Sequence, residues 1–258
     1  MSGALRVTLL GTGSSQGVPA IGGHWGACDP EEPRNRRTRT SALLEYGGTR
    51  LLVDAGPDCR AQLLASGVGA LDGVVFTHAH ADHVMGLDEL RQVNRNTGQP
   101  IPAYGLPETL AELESRFAYA FKGASRGFFR PDLRATPLEP GQAMQVGAIR
   151  LSVFEQDHAV MRTLGLRIGG FAYSTDVVRL PEASLHALAG VRTWVIGCFR
   201  PTAHPVHAGL DEVLAWQAAV RPARIILTHM GDQMDWASLC RSLPPGIEPG
   251  HDGMAFDA

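Results

Sequence analysis

The sequence predicts a four-layer αβ/βα sandwich of the α/β (α+β) class, two β-sheets face to face with helices on their outer sides. Three observations predict it. Short apolar runs alternate with longer amphipathic stretches, as strands and helices do when helices cover a sheet. Two junctions are glycine pairs, Gly47-Gly48 and Gly169-Gly170, whose access to positive φ suits tight hairpins. Four apolar runs stop at a ligand-type side chain: Leu51-Leu52-Val53 at Asp54, Val74–Thr77 at His78, Phe171–Thr175 at Asp176, and Ile225–Thr228 at His229. Strands that end together at one sheet edge bring such side chains to one place.

The strands read in order as Leu5–Leu10, Ser41–Tyr46, Arg50–Val53, Gly73–Thr77, Ile149–Phe154, Leu164–Ile168, Phe171–Ser174, Trp194–Ile196, Arg224–Thr228 and Gly253–Phe256. The helices read as Asp58–Ser66, Gly86–Asn94, Pro107–Phe121, Pro181–Leu188, Leu210–Val220 and Asp235–Leu243, with Pro107 and Pro181 suited to a first helical turn. Lys122–Pro140, rich in Gly, Pro and Arg, reads as a loop or insertion. Trp25 and Phe128-Phe129-Arg130 are candidates for the substrate entrance.

The bulk composition narrows the function classes. A chain of 258 residues, 44% hydrophobic and 19% charged, is expected to fold as one domain over 1–258 with a sizeable core. A net charge of −3 gives no overall basic field, so nucleic acid is a poor partner and an anionic membrane is none. No apolar run approaches the roughly 20 residues of a membrane helix, and the opening Met-Ser-Gly-Ala-Leu-Arg has no leader pattern. Cys28, Cys59, Cys198 and Cys240 are scattered and read as reduced thiols, so the expected compartment is the cytoplasm.

The chemistry concentrates in Phe76-Thr77-His78-Ala79-His80-Ala81-Asp82-His83. Imidazole and carboxylate together suit zinc, manganese or iron. An extended segment turns His78 and His80 to the same side, Ala79 and Ala81 leave room, and a helix starting near Asp82 redirects the chain. The glycine-rich Gly11–Gly17 lacks the Gly-Lys ending of a phosphate-binding P-loop and reads as a strand-end loop beside the site. Cys198 has no base beside it in the sequence, and a side-chain nucleophile is not expected.

The H-x-H-x-D-H run at 78–83 resembles the signature of the metallo-β-lactamase superfamily. Gly11–Pro19, Asp29-Pro30, Pro33–Arg39, Val53–Asp58 and Asp252-Gly253-Met254 resemble the phosphonate-pathway (PhnP-like) cyclic phosphodiesterase group within it. The resemblance implies three further ligands, for which His158, Asp176 and His229 match. One ion would then take His78, His80, His158 and Asp176, and the other Asp82, His83, Asp176 and His229. It also implies a catalytic histidine in an H-P-x-H element, which His207 matches, with His204 beside it in a lesser role and Asp54 orienting a ligand imidazole. Asp82 joins His207 in the catalytic set. The relatives' C-x-C-x-x-C is reduced here to Cys28 with His24 nearby, so a structural zinc is not expected there.

The implied function is a dinuclear Zn²⁺- or Mn²⁺-dependent phosphodiesterase acting on small or cyclic phosphate esters. Two cations roughly 3.5–4 Å apart share a hydroxide and clamp a phosphoryl oxygen. The relatives imply a homodimer. Other outcomes within the superfamily are a tRNA 3′-processing nuclease, a thioester or lactone hydrolase, and a non-catalytic helper in cofactor biosynthesis. The run Arg34–Arg39 is either a phosphate or subunit contact or a solvated loop.

Overall fold

The protein is described by a computed structural model over residues 3–123 and 129–258. Strands β1 (Arg6–Gly11), β2 (Ser41–Tyr46) and β3 (Thr49–Val53) pair antiparallel, and β4 (Gly73–Val75), β5 (Ile101–Gly105) and β6 (Leu133–Pro137) continue the sheet in parallel. The second sheet begins with β7 (Ala143–Val146), β8 (Ile149–Asp157), β9 (Arg162–Ile168) and β10 (Phe171–Ser174), all antiparallel. It continues in parallel with β11 (Thr193–Gly197), β12 (Arg224–Thr228) and β13 (Ile247–Pro249). The last strand, β14 (Ala255–Asp257), returns to pair antiparallel with β1. There the amide of Ala258 donates to the carbonyl of Leu5, so the two ends of the described chain lie side by side.

Strand alternation decides what each sheet face buries. Val7 and Leu9, Leu51 and Val53, Leu164 and Leu166, and Val195 and Ile226 turn inward to form the core between the sheets. The outer face of the first sheet packs on α1 (Cys59–Ser66), α3 (Leu90–Thr97) and α4 (Pro107–Arg116) through Leu63, Val93, Leu110 and Leu113. The outer face of the second packs near α5 (Glu182–Ala187) and on α6 (Leu210–Val220) and α7 (Trp236–Ser242) through Leu188, Val213 and Leu239. These are the four layers expected of the αβ/βα sandwich. Among the described residues no helix is long and apolar enough to cross a membrane.

Several elements differ from the sequence reading. The expected loop 122–140 contains β6, whose Arg134 and Pro137 suit an edge strand that needs no ladder on one side. Phe128 lies outside the described residues. The expected helix Gly86–Asn94 divides into a 3₁₀ turn at Leu87–Glu89 and α3, and a separate short helix, α2 (Ala81–Val84), precedes it. The end of Pro107–Phe121 is likewise a 3₁₀ turn, Ala118–Phe121.

Candidate metal centre

The site lies where strands of both sheets end. Asp54 follows β3, His78 follows β4 after Phe76-Thr77, His158 follows β8, Asp176 follows β10 after Thr175, and His229 follows β12. The amide of Leu164 donates to Thr77 O and ties the two sheets together at this edge. Asp54, Asp176 and His229 have left-handed backbone, with φ of 62°, 49° and 52°. Such conformations are strained outside glycine and persist where the surroundings fix them. Here each turns a side chain off the end of its strand.

The loop after Asp54 packs directly on the turn that carries Asp82 and His83. Ala55 N donates to His83 O at 2.8 Å, and Gly86 N to Ala55 O at 2.9 Å. A Cβ on Gly56 would stand 2.1 Å from Asp82 O, and one on Gly86 1.9 Å from Gly56 O, so both positions require glycine. The strand-end loop 11–17 is joined to the residue after His229, with Ser14 N donating to Met230 O and Met230 N to Thr12 O.

Donor atoms of His78, His80, His158 and Asp176 lie within 4.8 Å of one another, as do those of Asp82, His83 and His229. Asp176 stands between the groups. Its Oδ1 is 3.8 Å from His78 Nε2 and 3.7 Å from His158 Nε2, and its Oδ2 is 3.1 Å from His83 Nε2 and 3.4 Å from His229 Nε2. Asp82 Oδ2 lies 3.3 Å from His83 Nε2 and 3.5 Å from His229 Nε2. All seven residues named as ligands from the sequence therefore meet at one edge.

The surroundings fix which ring nitrogen faces the centre. Thr77 Oγ1 donates to Asp54 Oδ2 at 2.8 Å, so it accepts from Nδ1–H of His78, 3.0 Å away. His83 Nδ1–H donates to Asp54 Oδ2 at 2.7 Å, and His158 Nδ1–H to Val206 O at 2.6 Å. With Nδ1 engaged in this way, each of these rings turns Nε2 to the centre, the arrangement by which outer partners orient metal-binding histidines. The Nε2 atoms of His78, His83 and His229 are buried, and that of His78 has no hydrogen-bond partner among the described residues. Sequence reasoning placed Asp54 beside an imidazole and missed Thr77, whose β-branched side chain reads as strand; its position between an apolar run and His78 was the available signal.

Electrostatics lead to the same requirement. Burial pushes the His78 and His158 rings toward the neutral form. Burial opposes ionisation of Asp176, yet His229, His83 and His78 hold its carboxyl well below the usual range. Burial also disfavours a charge on His83, but Asp176, Asp54 and Asp82 outweigh it and raise its pKa well above normal. Three carboxylates around one ring call for a positive charge. The cluster and its fold suggest divalent-metal binding.

His207 stands at the rim, half-buried, with Nδ1 3.6 Å from Asp176 Oδ1 and its ring 4.7 Å from His158 and 4.9 Å from His229. It forms a third donor group with Asp176 and His229. His204 stacks beside it at 5.3 Å, and Phe199 packs against both. Of the residues expected at the entrance, Phe129 sits against Arg91 and Arg95 of α3, and Trp25 under Arg36. The basic run divides, with Arg34 stacked on Trp236, Arg39 paired with Asp58, and Arg37 buried.

The chain resembles known proteins across most of its length. A model of the beta-lactamase superfamily domain matches residues 49–230. An octanoyltransferase from Porphyromonas gingivalis is 31% identical over 254 residues, 97% of this chain but 51% of that protein, so the chain spans about half of that relative. A ribonuclease Z of Mycobacterium sp. (strain KMS) is 29% identical over 288 residues, covering 96% and 94% of the two chains. The crystal structure of a diphosphatase of the PhnP family superimposes with a TM-score of 0.90 at 30% identity, covering 100% and 98%. Zn²⁺-bound PqqB from Methylobacterium extorquens shares the fold, with a TM-score of 0.75 at 20% identity over 98% and 100% of the chains. Two sheets ending at a His/Asp cluster, together with these matches, establish that the chain belongs to the metallo-β-lactamase superfamily.

Proposed function

We propose that this chain is a dinuclear metal-dependent hydrolase that cleaves phosphodiester or diphosphate linkages in small, including cyclic, phosphate esters. One observation carries the reading: the buried Nε2 atoms of His78, His83 and His229 converge with Asp82 and Asp176, and that of His78 has no hydrogen-bond partner among the described residues. A buried lone pair without a partner is costly, and cations held by this donor set would satisfy all of them together. His78, His80, His158 and Asp176 would hold one ion, and Asp82, His83, Asp176 and His229 the other. Nitrogen with carboxylate oxygen suits Zn²⁺ or Mn²⁺. Two such ions, when bound, supply Lewis acidity and lower the pKa of water enough to give a nucleophile at neutral pH.

The chain's own residues do the rest. Asp176 links the donor groups and sets their separation. Asp82 reaches both His83 and His229 and helps place the attacking water. His207 stands on the open side, where it protonates the leaving oxygen. In the bare protein, burial and neighbouring His229 push its pKa down to about 3. The negative charge of a bound phosphate ester acts in the opposite sense and favours the protonated ring. His204, stacked on His207, holds that ring in place.

The similarity to a PhnP-family diphosphatase supports this substrate class. The ribonuclease Z relatives favour a second reading, cleavage of an RNA phosphodiester, against which stands the net charge of −3. The test is metal analysis with a panel of bis-aryl phosphate, cyclic nucleotide, nucleoside diphosphate, tRNA precursor and thioester. Phosphodiester or diphosphate turnover should vanish on chelation and return with Mn²⁺ or Zn²⁺; turnover of tRNA precursor alone selects the second reading, and of thioester alone overturns both. Asp176→Ala should lose both ions, and retention of two ions would refute the bridging role. The reading carries with it a homodimer, checked by light scattering, and a cytoplasmic location, which the four free thiols suit.

A further inference from the structure

Arg37 is 3% exposed, an unusual place for a guanidinium. Its partners are a sulfur, a side-chain amide oxygen and two peptide oxygens. Nη1 donates to Cys28 Sγ at 3.7 Å and to Gly231 O at 3.3 Å. Nη2 donates to Asn35 Oδ1 at 3.2 Å and to Met234 O at 2.6 Å. Its Nε is buried without a partner. Burial lowers its pKa, which measures how strongly the interior resists this charge. A surface loop could be held together far more cheaply.

The two peptide oxygens show what the charge holds. Gly231 and Met234 lie on the segment that leaves His229 and leads into α7. The same segment is pinned from other sides: Met230 N donates to Thr12 O, Gly231 N to Phe199 O, and Trp236 N to Asn35 Oδ1. Asn35 Nδ2 adds a bond to Asp235 Oδ2 at 2.7 Å. Arg37 is itself anchored by paired backbone bonds with Val18. His229 needs this support, because its backbone is left-handed at φ 52° and, among the described residues, no carboxylate holds its ring as Asp54 holds that of His83.

The geometry points to Arg37 as a positioning residue for His229: its buried fork fixes the chain immediately beyond that histidine and so sets the second cation position, formed by Asp82, His83, Asp176 and His229. The inference rests on the dinuclear reading above. A fork with several donors in one plane can span acceptors on separate segments, and an ammonium cannot. Loss of the fork leaves Met234 O without its donor and Gly231 O with only the long bond from Met234 N, at 3.3 Å, and the segment shifts to hydrate them. A shift of about 0.5 Å is enough to spoil a ligand constellation. The first cation position draws on His78, His80 and His158, none of which is attached to this segment.

The experiment is a titration of the metal-free full chain with Mn²⁺ or Zn²⁺, following bound ions per chain, for the natural protein, Arg37→Met and Arg37→Lys, with circular dichroism and melting temperature as controls on folding. The natural protein should bind two ions. Both variants should bind the first as tightly as the natural protein and the second about 10- to 100-fold more weakly, the usual effect of removing an outer support of a metal site. Arg37→Ala should regain the second ion when millimolar guanidinium is added. Unchanged affinity for the second ion, with only a lower melting temperature, would reduce Arg37 to a structural strut and overturn the inference. Equal weakening of both ions would overturn it as well. If Arg37→Met does not fold, Arg37→Lys decides on the same readout. A natural protein that binds no second ion would instead sink the dinuclear reading, and this inference with it.

Discussion

His83 shows how much one side chain can be asked to do. It donates Nδ1–H to Asp54 and turns Nε2 toward Asp82 and Asp176. At this scale much of the site was legible in the sequence: ligand types crowd into residues 78–83, and Asp176 and His229 each end an apolar run, whereas His158, behind Glu155-Gln156-Asp157, came only from the resemblance. The supporting residues were not. Arg37 and Asn35 read as part of an ordinary basic loop, and only tertiary packing shows one guanidinium turned inward while Arg34 and Arg36 lie on tryptophans. His207 offers a direct check at this scale. His207→Ala should keep both ions and slow esters with poor leaving groups by about 10²–10⁴-fold while sparing good ones. Equal losses across a leaving-group series would count against proton donation.

Among the elements, the central strands announced themselves through their apolar runs. β6, β7 and β13 did not, and each is an edge strand. An edge strand buries one face at most and tolerates the prolines and charges that mask its pattern, as in Leu-Arg-Ala-Thr-Pro and Ile-Glu-Pro. β5 escaped for a related reason, since Pro102 interrupts a run of only five residues. Helix α7 is short and depends on its cap: Asp235 accepts from Ser238 N at 2.8 Å. Burial pushes the Asp235 carboxyl up, but hydrogen bonds from Ser238, Asn35 and Asp29 outweigh this and hold it well below the usual range. The cap therefore stabilises above the ordinary aspartate pKa near 3.8 and is lost as pH falls through the depressed value. Asp235→Ala should lower stability by about 1 kcal/mol at neutral pH, a gap that narrows on acidification. Denaturant melts at several pH values measure it, and a gap that widens toward acid would contradict the assignment.

For the molecule as a whole, the sandwich followed from patterning, whereas the devices that lock its halves together did not. Asp252 is one of them. Its carboxylate accepts from the amide and hydroxyl of both Thr12 and Thr38, at 2.6 to 2.8 Å. It thus joins the segment before β14 to Thr12, at the exit of β1, and to Thr38, on the approach to β2. Asp252-Gly253-Met254 was visible only as a resemblance, because its partners lie more than 200 residues away. Asp252→Ala leaves four donors without an acceptor and should cost about 3 kcal/mol, on the scale of hydrogen bonds to a charged group. Chemical denaturation would show it, and a loss below about 0.5 kcal/mol, the level of an indifferent surface change, would deny Asp252 this role.

The pairing of β14 with β1 has a practical corollary. Leu5 and Ala258 touch at the end of the sandwich remote from the histidines. A short peptide could weld these neighbours into a closed ring without pulling on any strand that bears a ligand. For the same reason, the segments that meet at Leu5 and Ala258 occupy the floor of the molecule and leave its mouth clear.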